Sequence, residues 1–403
     1  MAVTEPRTYP FTAADRLTVD PVFAELRDNE PMCRVRFPYG EPAWLVTRYE
    51  DVKTVLSDPR FSRAEAARRD EPRMRPGRGL PGNILELDPP EHTRVRRVVA
   101  KAFTARHVER LRPRTEQIAA GLLDAMVAKG APADLVEDFA LPLPVTVICE
   151  LLGVPYEDRA AFREWSDALL STTKFTPEQV EERTRRLMEY MAGLIARRRD
   201  GSAPGDDLLS SLVAARDEEE RLSEQELVVL AIALLVAGHE TTATQIPNFV
   251  YTLLTHPRQL EALRADPGLV PQAVEELMRF VPLGNGAGMP RYATEDVELS
   301  CGTVRAGDAV VVAAVSANRD ASVYSDPDRL DLRREEATHV GFGHGPHHCL
   351  GAQLARMELQ VALGSLLERL PGLRFADREE SVVWKSGVAL RGPEYLPVTW
   401  DRP

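Results

Sequence analysis

A glycine-rich loop near the end of the chain presents a single cysteine, and this stretch decides how the rest of the sequence is interpreted. It reads Phe342-Gly343-His344-Gly345-Pro346-His347-His348-Cys349-Leu350-Gly351. Gly343 and Gly345 permit positive φ angles, which bring backbone close to something large and flat. Residues 352–359 are rich in helix formers. A thiolate at Cys349 would therefore lie beside a helix N-terminus, whose partial positive charge favours an anion.

Three interpretations of this cysteine compete. The first is a buried apolar cysteine, which is the common fate of a lone thiol in a cytosolic protein. The second is a zinc site, although the loop lacks the paired short spacers and the second cluster that zinc sites normally use. The third is ligation of a haem iron by the thiolate. The zinc interpretation rests on four nearby histidines, which are His339, His344, His347 and His348.

Bulk properties limit the possible functions. The chain has 403 residues, of which 44% are hydrophobic and 28% charged, as is ordinary for a globular protein. Its net charge of −12 argues against nonspecific binding of nucleic acid. Four scattered cysteines indicate a reducing compartment. The N-terminus has no signal-peptide pattern, and the longest apolar run, residues 227–238, is too short to span a bilayer. We expect a soluble cytoplasmic protein.

A second chemical signal interrupts a helix that the pattern predicts from Ser223 to about Thr255. Ser223 and Glu226 have the spacing of a capping box, and residues 227–237 are apolar on all sides, as in a buried helix. Residues 238–242 (Gly-His-Glu-Thr-Thr) then place a carboxylate and hydroxyls in its middle, where they are costly unless used. They form either a kink in the helix whose polar groups are all hydrogen-bonded, or an acid–alcohol pair that delivers protons.

Details of this helix extend the prediction. Thr241 is spaced to donate a hydrogen bond to a carbonyl one turn back, near Ala237, and Gly238 would let that turn open. Pro247 should bend the helix beyond the polar segment.

A third signal follows Pro89 and Pro90, which begin a helix that continues to about Phe103. His92 and Arg96 are four residues apart and share one face of it. That face is either a solvated basic surface or a clamp for an anion, such as the propionates of a haem.

These motifs, in this order, resemble the cytochrome P450 family of haem-thiolate monooxygenases. The loop has the family spacing Phe-Gly-x-Gly-x-x-x-Cys-x-Gly, and residues 237–241 have the pattern Ala-Gly-x-Glu-Thr. The resemblance implies a mainly α fold of the α+β class, with a helix-rich portion and a smaller β-rich portion around a buried haem b. It also implies a single domain over residues 1–403.

The resemblance carries residue roles with it. It makes Cys349 the metal ligand, and Glu240 and Thr241 the acid and alcohol that relay protons. A buried structural network of Glu276, Arg279 and Arg329 is implied as well. The implied cofactor-binding residues are His92, Arg96, Ala237, Gly238, Arg291, Phe342, Gly343, His347, Cys349 and Gly351.

The resemblance also implies an activity. Dioxygen and electrons from a ferredoxin and its reductase would be used to hydroxylate or epoxidise a bulky hydrophobic molecule, such as a polyketide, macrolide or terpenoid. A monomer without nucleic-acid or membrane partners is expected. Three segments would determine the substrate: helices in residues 158–199, a long loop at 62–87 and a turn at 384–388. A small-residue linker at 282–291 would lie along the substrate pocket and leave room for a bulky molecule. The alternatives are a peroxide-using or rearranging haem-thiolate enzyme, or a haem sensor without catalysis.

Overall fold

The computed structural model describes residues 5–13, 15–201, 205, 207–217, 222–284, 287–336 and 338–401. The described residues divide into two compact units. The first, called unit 1 below, comprises those within Met1–Arg78, Leu85–Thr93 and Glu275–Cys349. The second, unit 2, comprises those within Gly79–Ile84, Arg94–Val274 and Leu350–Pro403.

Helices dominate the secondary structure, as the sequence predicted. Those within the described residues are α1 (Val22–Asn29), α2 (Tyr49–Ser57), α3 (Arg63–Arg68), α4 (Glu91–Ala100), α5 (Ala105–Lys129), α6 (Pro142–Leu152), α7 (Arg159–Leu170), α8 (Pro177–Arg199), α9 (Leu208–Asp217), α10 (Glu224–Thr255), α11 (Pro257–Ala265), α12 (Val270–Phe280), α13 (Ala314–Ala317) and α14 (Ala352–Arg369).

The strands are short and form four small sheets. They are β1 (Arg7–Thr8), β2 (Met32–Arg36), β3 (Ala43–Val46), β4 (Phe61–Ser62), β5 (Ala133–Asp134), β6 (Arg291–Ala293), β7 (Val297–Leu299), β8 (Gly302–Val304), β9 (Ala309–Val312), β10 (Arg374–Phe375), β11 (Val383–Trp384), β12 (Pro393–Tyr395) and β13 (Pro397–Thr399). Six pair in the order β1-β2-β3-β9-β6-β4, and the other sheets are β10-β13-β5, β11-β12 and β7-β8.

Unit 1 is built on the six-stranded sheet. The sequence predicts a hairpin of residues 33–37 and 43–47, and it is present at the centre of the sheet, with β2 antiparallel to β3 and Cys33 opposite Leu45. The chain turns between these strands at Gly40, whose φ of +82° suits glycine. Side chains alternate along β2, so that Cys33 and Val35 are buried in one apolar cluster while Met32, on the opposite face, packs against another. The sheet thereby covers an apolar core on each face.

Unit 2 is built around α10. The predicted capping box is present, since Ser223 accepts from the backbone of Glu226 and the Glu226 side chain accepts from Ser223 N–H. The helix remains continuous through Pro247. By length and composition it could cross a bilayer, but 78% of its most apolar window is buried within the protein. The apolar run of residues 227–238 is too short to span a bilayer, but the whole helix is long enough. Its burial within the protein is what indicates a core helix.

Two sequence predictions about α-helix limits are wrong. Residues 62–87 are not entirely loop, because Ser62 accepts from Glu65 N–H and begins α3. This is a cap of the Ser-x-x-Glu type. The sequence also predicts mostly helical structure over residues 106–215, with a break near Pro113, but α5 runs through that residue. Tertiary packing along a 25-residue helix outweighs the loss of one backbone donor. The linker prediction at 282–291 includes Asn285 and Gly286, which lie outside the described residues.

The connection between α7 and α8 is anchored to a C-terminal turn within unit 2. The carbonyl oxygen of Gly387 accepts from the backbone amides of Thr172, Thr173 and Lys174 at 2.8–3.0 Å. Ala389 N–H also donates to Leu170 O at 2.8 Å. Since every one of these bonds joins backbone to backbone, the anchoring does not depend on the side chains of the connection.

A buried ion network joins α12 to the segment that precedes the cysteine loop, and it differs from the predicted one. Arg279 forms two bonds to the Glu276 carboxylate, at 2.7 and 2.8 Å. The second arginine is Arg334, 3.2 Å from Glu276. Arg329, which was predicted for this role, has a 65% exposed side chain paired with Asp331. Only its backbone oxygen enters the network, accepting from both other arginines.

Candidate active site

The cysteine loop is closed by backbone hydrogen bonds that point the thiol outward. Cys349 N–H donates to Phe342 O at 2.9 Å, which joins the two ends of the loop. Gly343 and Gly345 have φ angles of +73° and +69°, as the sequence predicted. At Gly345 a Cβ would also lie 2.5 Å from Leu56 O, so the close approach to α2 requires glycine there.

Accessibility separates Cys349 from the other cysteines. Cys33 and Cys149 are buried and Cys301 is half-buried, whereas Cys349 is exposed. Burial raises the pKa of each of the first three thiols to about 12. These three are inert at neutral pH, while Cys349 is open to a ligand. The interpretation of Cys349 as a buried apolar residue is therefore wrong.

The zinc interpretation finds no geometry to support it. Among the described residues, no group of three or more His, Cys, Asp or Glu side chains is arranged to hold a metal ion. The histidines near Cys349 have other contacts. His339 accepts from Gly341 N–H through Nδ1 and lies 3.2 Å from Glu275 through Nε2.

A cluster of basic side chains lies in unit 1, and it includes three predicted cofactor-binding residues. The rings of His92 and His347 are 4.3 Å apart. Arg291 and Arg63 are both 4% exposed and both electrostatically close to His347. Arg63, which the sequence analysis did not identify, donates to Leu85 O at 2.9 Å and to Pro290 O.

The cluster carries positive charge that its own groups do not fully satisfy. Arg63 has a carboxylate partner, Glu71, at 3.5 Å. Among the residues that the structure describes, Arg291 makes one long hydrogen bond, of 3.4 Å to Met289 O. Burial and the nearby Arg63 lower the pKa of Arg291 to about 10, although Asp88 opposes the change. A buried guanidinium without a close anionic partner is costly.

This donor set fits a haem. His347 Nδ1 is buried and has no hydrogen-bond partner within the described part of the chain. Burial, followed by repulsion from His92 and Arg291, lowers the pKa of His347 to about 3, so the ring is neutral and can donate one hydrogen bond. Carboxylates would satisfy both Arg291 and His347 through charge-assisted bonds. The two propionates of a haem supply such groups, and Cys349 supplies the thiolate for its iron.

Two further predicted residues belong to unit 2. Arg96 is half-buried on α4, one turn beyond His92 in sequence. Gly351 is the N-cap residue of α14, and its backbone oxygen accepts from Ala355 N–H at 2.8 Å. A Cβ at Gly351 would meet open space, so no protein neighbour requires glycine at this position. That leaves room beside the backbone for a large group.

The polar segment of α10 has one open face. Thr241 Oγ1 donates to Ala237 O at 3.0 Å, the bond that the sequence spacing predicted. Ala237 is exposed, and Ala233 and Thr241 are half-buried, whereas most of the helix is buried. Residues four apart share a face. These three small side chains therefore form an open strip along a core helix, with the Thr241 hydroxyl on it.

Gly238 serves packing, contrary to the expectation that it opens a helical turn. The helix is continuous at this point. A Cβ on Gly238 would lie 2.5 Å from Ile148 Cδ1 of α6. Glycine is needed because the two helices approach closely there.

Glu240 lies beside Thr241 in sequence and is bonded to its other neighbour, His239. His239 Nε2 is 3.0 Å from Glu240 Oε1, and both residues are buried. Burial opposes ionisation of Glu240, but the bond and charge of His239, assisted by Lys385, outweigh it and lower the pKa to about 2. Lys385 Nζ donates to Thr244 Oγ1 at 2.9 Å. Thr244 in turn donates to Glu240 O at 2.8 Å.

Four functional candidates were missed by the sequence analysis. Arg63 follows a capping serine and could have been placed by the Ser-x-x-Glu spacing. His239 lies inside the motif of residues 237–241, but no sequence pattern predicts that its side chain bonds to the adjacent Glu240. Lys385 comes from a distant hairpin. Glu358 is fully buried on α14. Burial raises its pKa well above the usual value, although a hydrogen bond with the Thr242 side chain acts in the opposite direction.

Comparisons with known proteins agree with this geometry. The family described as Cytochrome P450 matches residues 21–372. The chain is 55% identical to mycinamicin IV hydroxylase/epoxidase of Micromonospora griseorubida, over 99% of this chain and 100% of the relative. It is 54% identical to nocardicin C N-oxygenase of Nocardia uniformis subsp. tsuyamanensis, with the same coverage.

A solved structure shares the fold. The cytochrome P450 hydroxylase LnmA, from the leinamycin biosynthetic pathway of Streptomyces atroolivaceus, superimposes with a TM-score of 0.90 at 55% identity, covering 98% of this chain and 100% of LnmA. The fold, haem cofactor and monooxygenase class expected from the sequence are thereby confirmed. This chain belongs to the cytochrome P450 family of haem-dependent monooxygenases.

Proposed function

We propose that this enzyme hydroxylates or epoxidises a bulky hydrophobic natural product, using dioxygen and electrons delivered by a ferredoxin and its reductase. It acts in the cytoplasm as a monomer, with the whole chain working as one domain. Cys349 is the iron ligand. His92, His347, Arg291 and Arg63 hold the haem propionates, and Arg96 contributes from the same helix as His92.

The acid–alcohol pair on α10 is the observation that carries this proposal. When bound, the haem supplies dioxygen activation and oxygen transfer. The Thr241 hydroxyl donates to Ala237 O, which leaves its lone pairs available to a water on the open strip. Glu240 brings a carboxylate to the adjacent position. Together they can pass a proton through water toward the open face of α10.

The relatives support a natural product as the substrate, but they do not identify one compound. Two proteins of nearly equal identity are named for different substrates and different oxidations: hydroxylation and epoxidation of mycinamicin IV, and N-oxygenation of nocardicin C. Identity of this degree therefore leaves the oxidised atom open. The small residues of the 282–291 linker support a bulky substrate. Gly288 has a second reason to be small, since a Cβ would lie 3.1 Å from Val312.

The electron donor is proposed from charge. Arg96 and Arg97 lie on α4 and Arg356 lies on α14, and the chain as a whole is acidic. A local basic surface on an acidic protein would orient an acidic ferredoxin. The alternatives, a peroxide-using or rearranging enzyme and a haem sensor, would have no use for an intact proton-delivery pair.

Turnover with labelled dioxygen tests the function. A panel of macrolides, other polyketides and terpenoids is screened for substrate-induced spin-state shifts, and binders are incubated with ferredoxin, reductase and NAD(P)H. We expect one labelled oxygen atom in the product. Product formed only with added peroxide, or without label, would contradict the proposal. An N-oxygenated product would change only the proposed site of oxidation, from carbon to nitrogen, and not the monooxygenase function.

Replacing Thr241 with alanine is expected to uncouple the enzyme. The variant should consume NAD(P)H at a rate near that of the parent but release peroxide in place of most product, because the hydroxyl that positions the proton-delivering water is gone. Product yield is expected to fall by about 100-fold, the lower end of the range for loss of a positioned proton-transfer group.

Thr255→Ala is the matched control, because Thr255 lies on the same helix and its hydroxyl makes the same type of bond, to Tyr251 O one turn back, away from the open strip. Peroxide and product are measured against NAD(P)H consumed. Unchanged coupling in Thr241→Ala would remove the proposed relay.

A further inference from the structure

The histidine inside the α10 motif has a geometry that the acid–alcohol pair alone does not explain. Adjacent residues on an α-helix point about 100° apart and normally do not bond. Here Glu240 turns back so that Oε1 lies 3.0 Å from His239 Nε2. The imidazole is fully buried, and the ring of Phe162 packs edge-on against it at 5.7 Å. The contact is therefore a built feature of the core.

The hydrogen-bond partners of His239 determine where its protons are. Nδ1 lies 2.7 Å from the carbonyl oxygen of Leu235, which can only accept, so Nδ1 carries a hydrogen. Nε2 faces the carboxylate of Glu240. If Nε2 were bare and Glu240 ionised, two lone pairs would oppose each other at 3.0 Å. One more proton must lie between Nε2 and Oε1.

That proton changes which group is the acid. Glu240 held in an ion pair is already ionised and has no proton of its own to give. The transferable proton lies on the His239 side of the contact. Ser166 of α7, which is itself fully buried, places its Oγ 3.5 Å from Nε2 and gives the ring a second polar neighbour. Ser166 itself donates to Arg163 O at 3.1 Å.

We propose that His239 is a proton-holding residue that acts through Glu240, so that the acid of the oxygenation reaction is the His239–Glu240 pair. This rests on the proposed role of Glu240 in proton delivery. In each turnover the pair gives one proton through Glu240 to water on the open strip. His239 is left neutral with its Nδ1–H in place, and Nε2 recovers a proton from bulk water. No electron or further reactant is involved.

Other charged groups set the balance of the pair. Lys385 and Arg163 both stabilise the Glu240 carboxylate, and Asp167 and Lys174 lie around Lys385. Both cations favour the ionised carboxylate, so the proton in the contact belongs to Nε2 of His239. An acid must be protonated to act, so the reaction depends on this proton.

Two substitutions separate proton holding from packing. His239→Gln keeps an N–H that can face Glu240 but cannot release a proton, and His239→Asn keeps the bond to Leu235 while removing the contact with Glu240. We expect both holoenzymes to lose product per NAD(P)H by about tenfold or more. The solvent isotope effect should increase. His107→Gln, at a histidine bonded to Arg110 on α5, is the control.

A measurement on the parent enzyme does not depend on activity. In the diamagnetic ferrous carbonyl form, nitrogen NMR of labelled histidine should show both ring nitrogens of His239 protonated at neutral pH. An unprotonated Nε2 would overturn the inference. This measurement is decisive even when neither variant folds, because it uses the parent enzyme. Unchanged coupling and isotope effect in a folded, haem-loaded His239→Gln variant would overturn it as well.

A Glu240→Gln variant distinguishes failure of this inference from failure of the proposed function. If Glu240→Gln uncouples the enzyme and His239→Gln does not, only the role of His239 is refuted. If Glu240→Gln leaves coupling unchanged, proton delivery by Glu240 is refuted and the inference with it.

Discussion

Replacing Cys349 with histidine is expected to abolish oxygenation and to remove the red-shifted Soret band that carbon monoxide produces with thiolate-ligated haem. Histidine can ligate iron, so haem is expected to remain bound, but without the electron donation of a thiolate. The fold should tolerate the change because Cys349 is exposed and its loop is closed by backbone bonds. Product formation should fall below detection.

The measurements are the carbon monoxide difference spectrum, haem content and product formation with ferredoxin. Cys301→Ala is the matched control, because this half-buried thiol lies in a β-turn and has no role in the proposed site. Its spectrum and activity should match those of the parent. Turnover retained in Cys349→His would contradict the assignment of the iron ligand.

Replacing Glu276 with glutamine is expected to destabilise the protein by about 3 kcal/mol, the lower end for breaking a buried ion pair. Glutamine has nearly the same shape, so the loss comes from charge and not from a cavity. Arg279 and Arg334 would then share a buried site without their carboxylate. Arg334 keeps Glu336 as a second partner, whereas Arg279 has only backbone oxygens such as Asn318 O.

Arg329→Ala is the control that the structure offers for this network. The side chain is exposed and paired with Asp331, so its removal should change the unfolding free energy by less than about 0.5 kcal/mol. Its backbone oxygen, which the network uses, is retained. Equilibrium unfolding of both variants by denaturant, followed by circular dichroism, measures the difference. If both variants lost the same unfolding free energy, the Arg329 side chain would belong to the network and our assignment of Arg334 to its place would be wrong.

Local chemistry explains which features the sequence predicted. The positive φ angles of Gly343 and Gly345, the capping box at Ser223 and the Thr241–Ala237 bond all depend on residues a few positions apart. Spacing alone is enough to specify such features. The same holds for the helix limits around residues 158–199, where α8 begins at Pro177 with Thr176 as its cap.

Features formed by distant segments could not be predicted in the same way. Arg329 and Arg334 are both near Glu276 in the folded chain, and only tertiary packing decides which guanidinium is buried. Arg63 joins the basic cluster from a segment more than two hundred residues from Arg291. The sequence placed Glu240 correctly within its motif but gave no indication that its side chain turns toward His239.

The backbone anchoring between Gly387 and residues 172–174 has a consequence for divergence within the family. The family resemblance associates the connection between α7 and α8 with substrate choice. Because its anchoring bonds involve no side chains, mutations at Thr172, Thr173 and Lys174 can accumulate without detaching it. Gly387 is the exception, since it has a φ of +66° and a Cβ there would lie 2.8 Å from Lys174 N. We therefore expect residues 172–174 to tolerate substitution during divergence, whereas position 387 requires glycine.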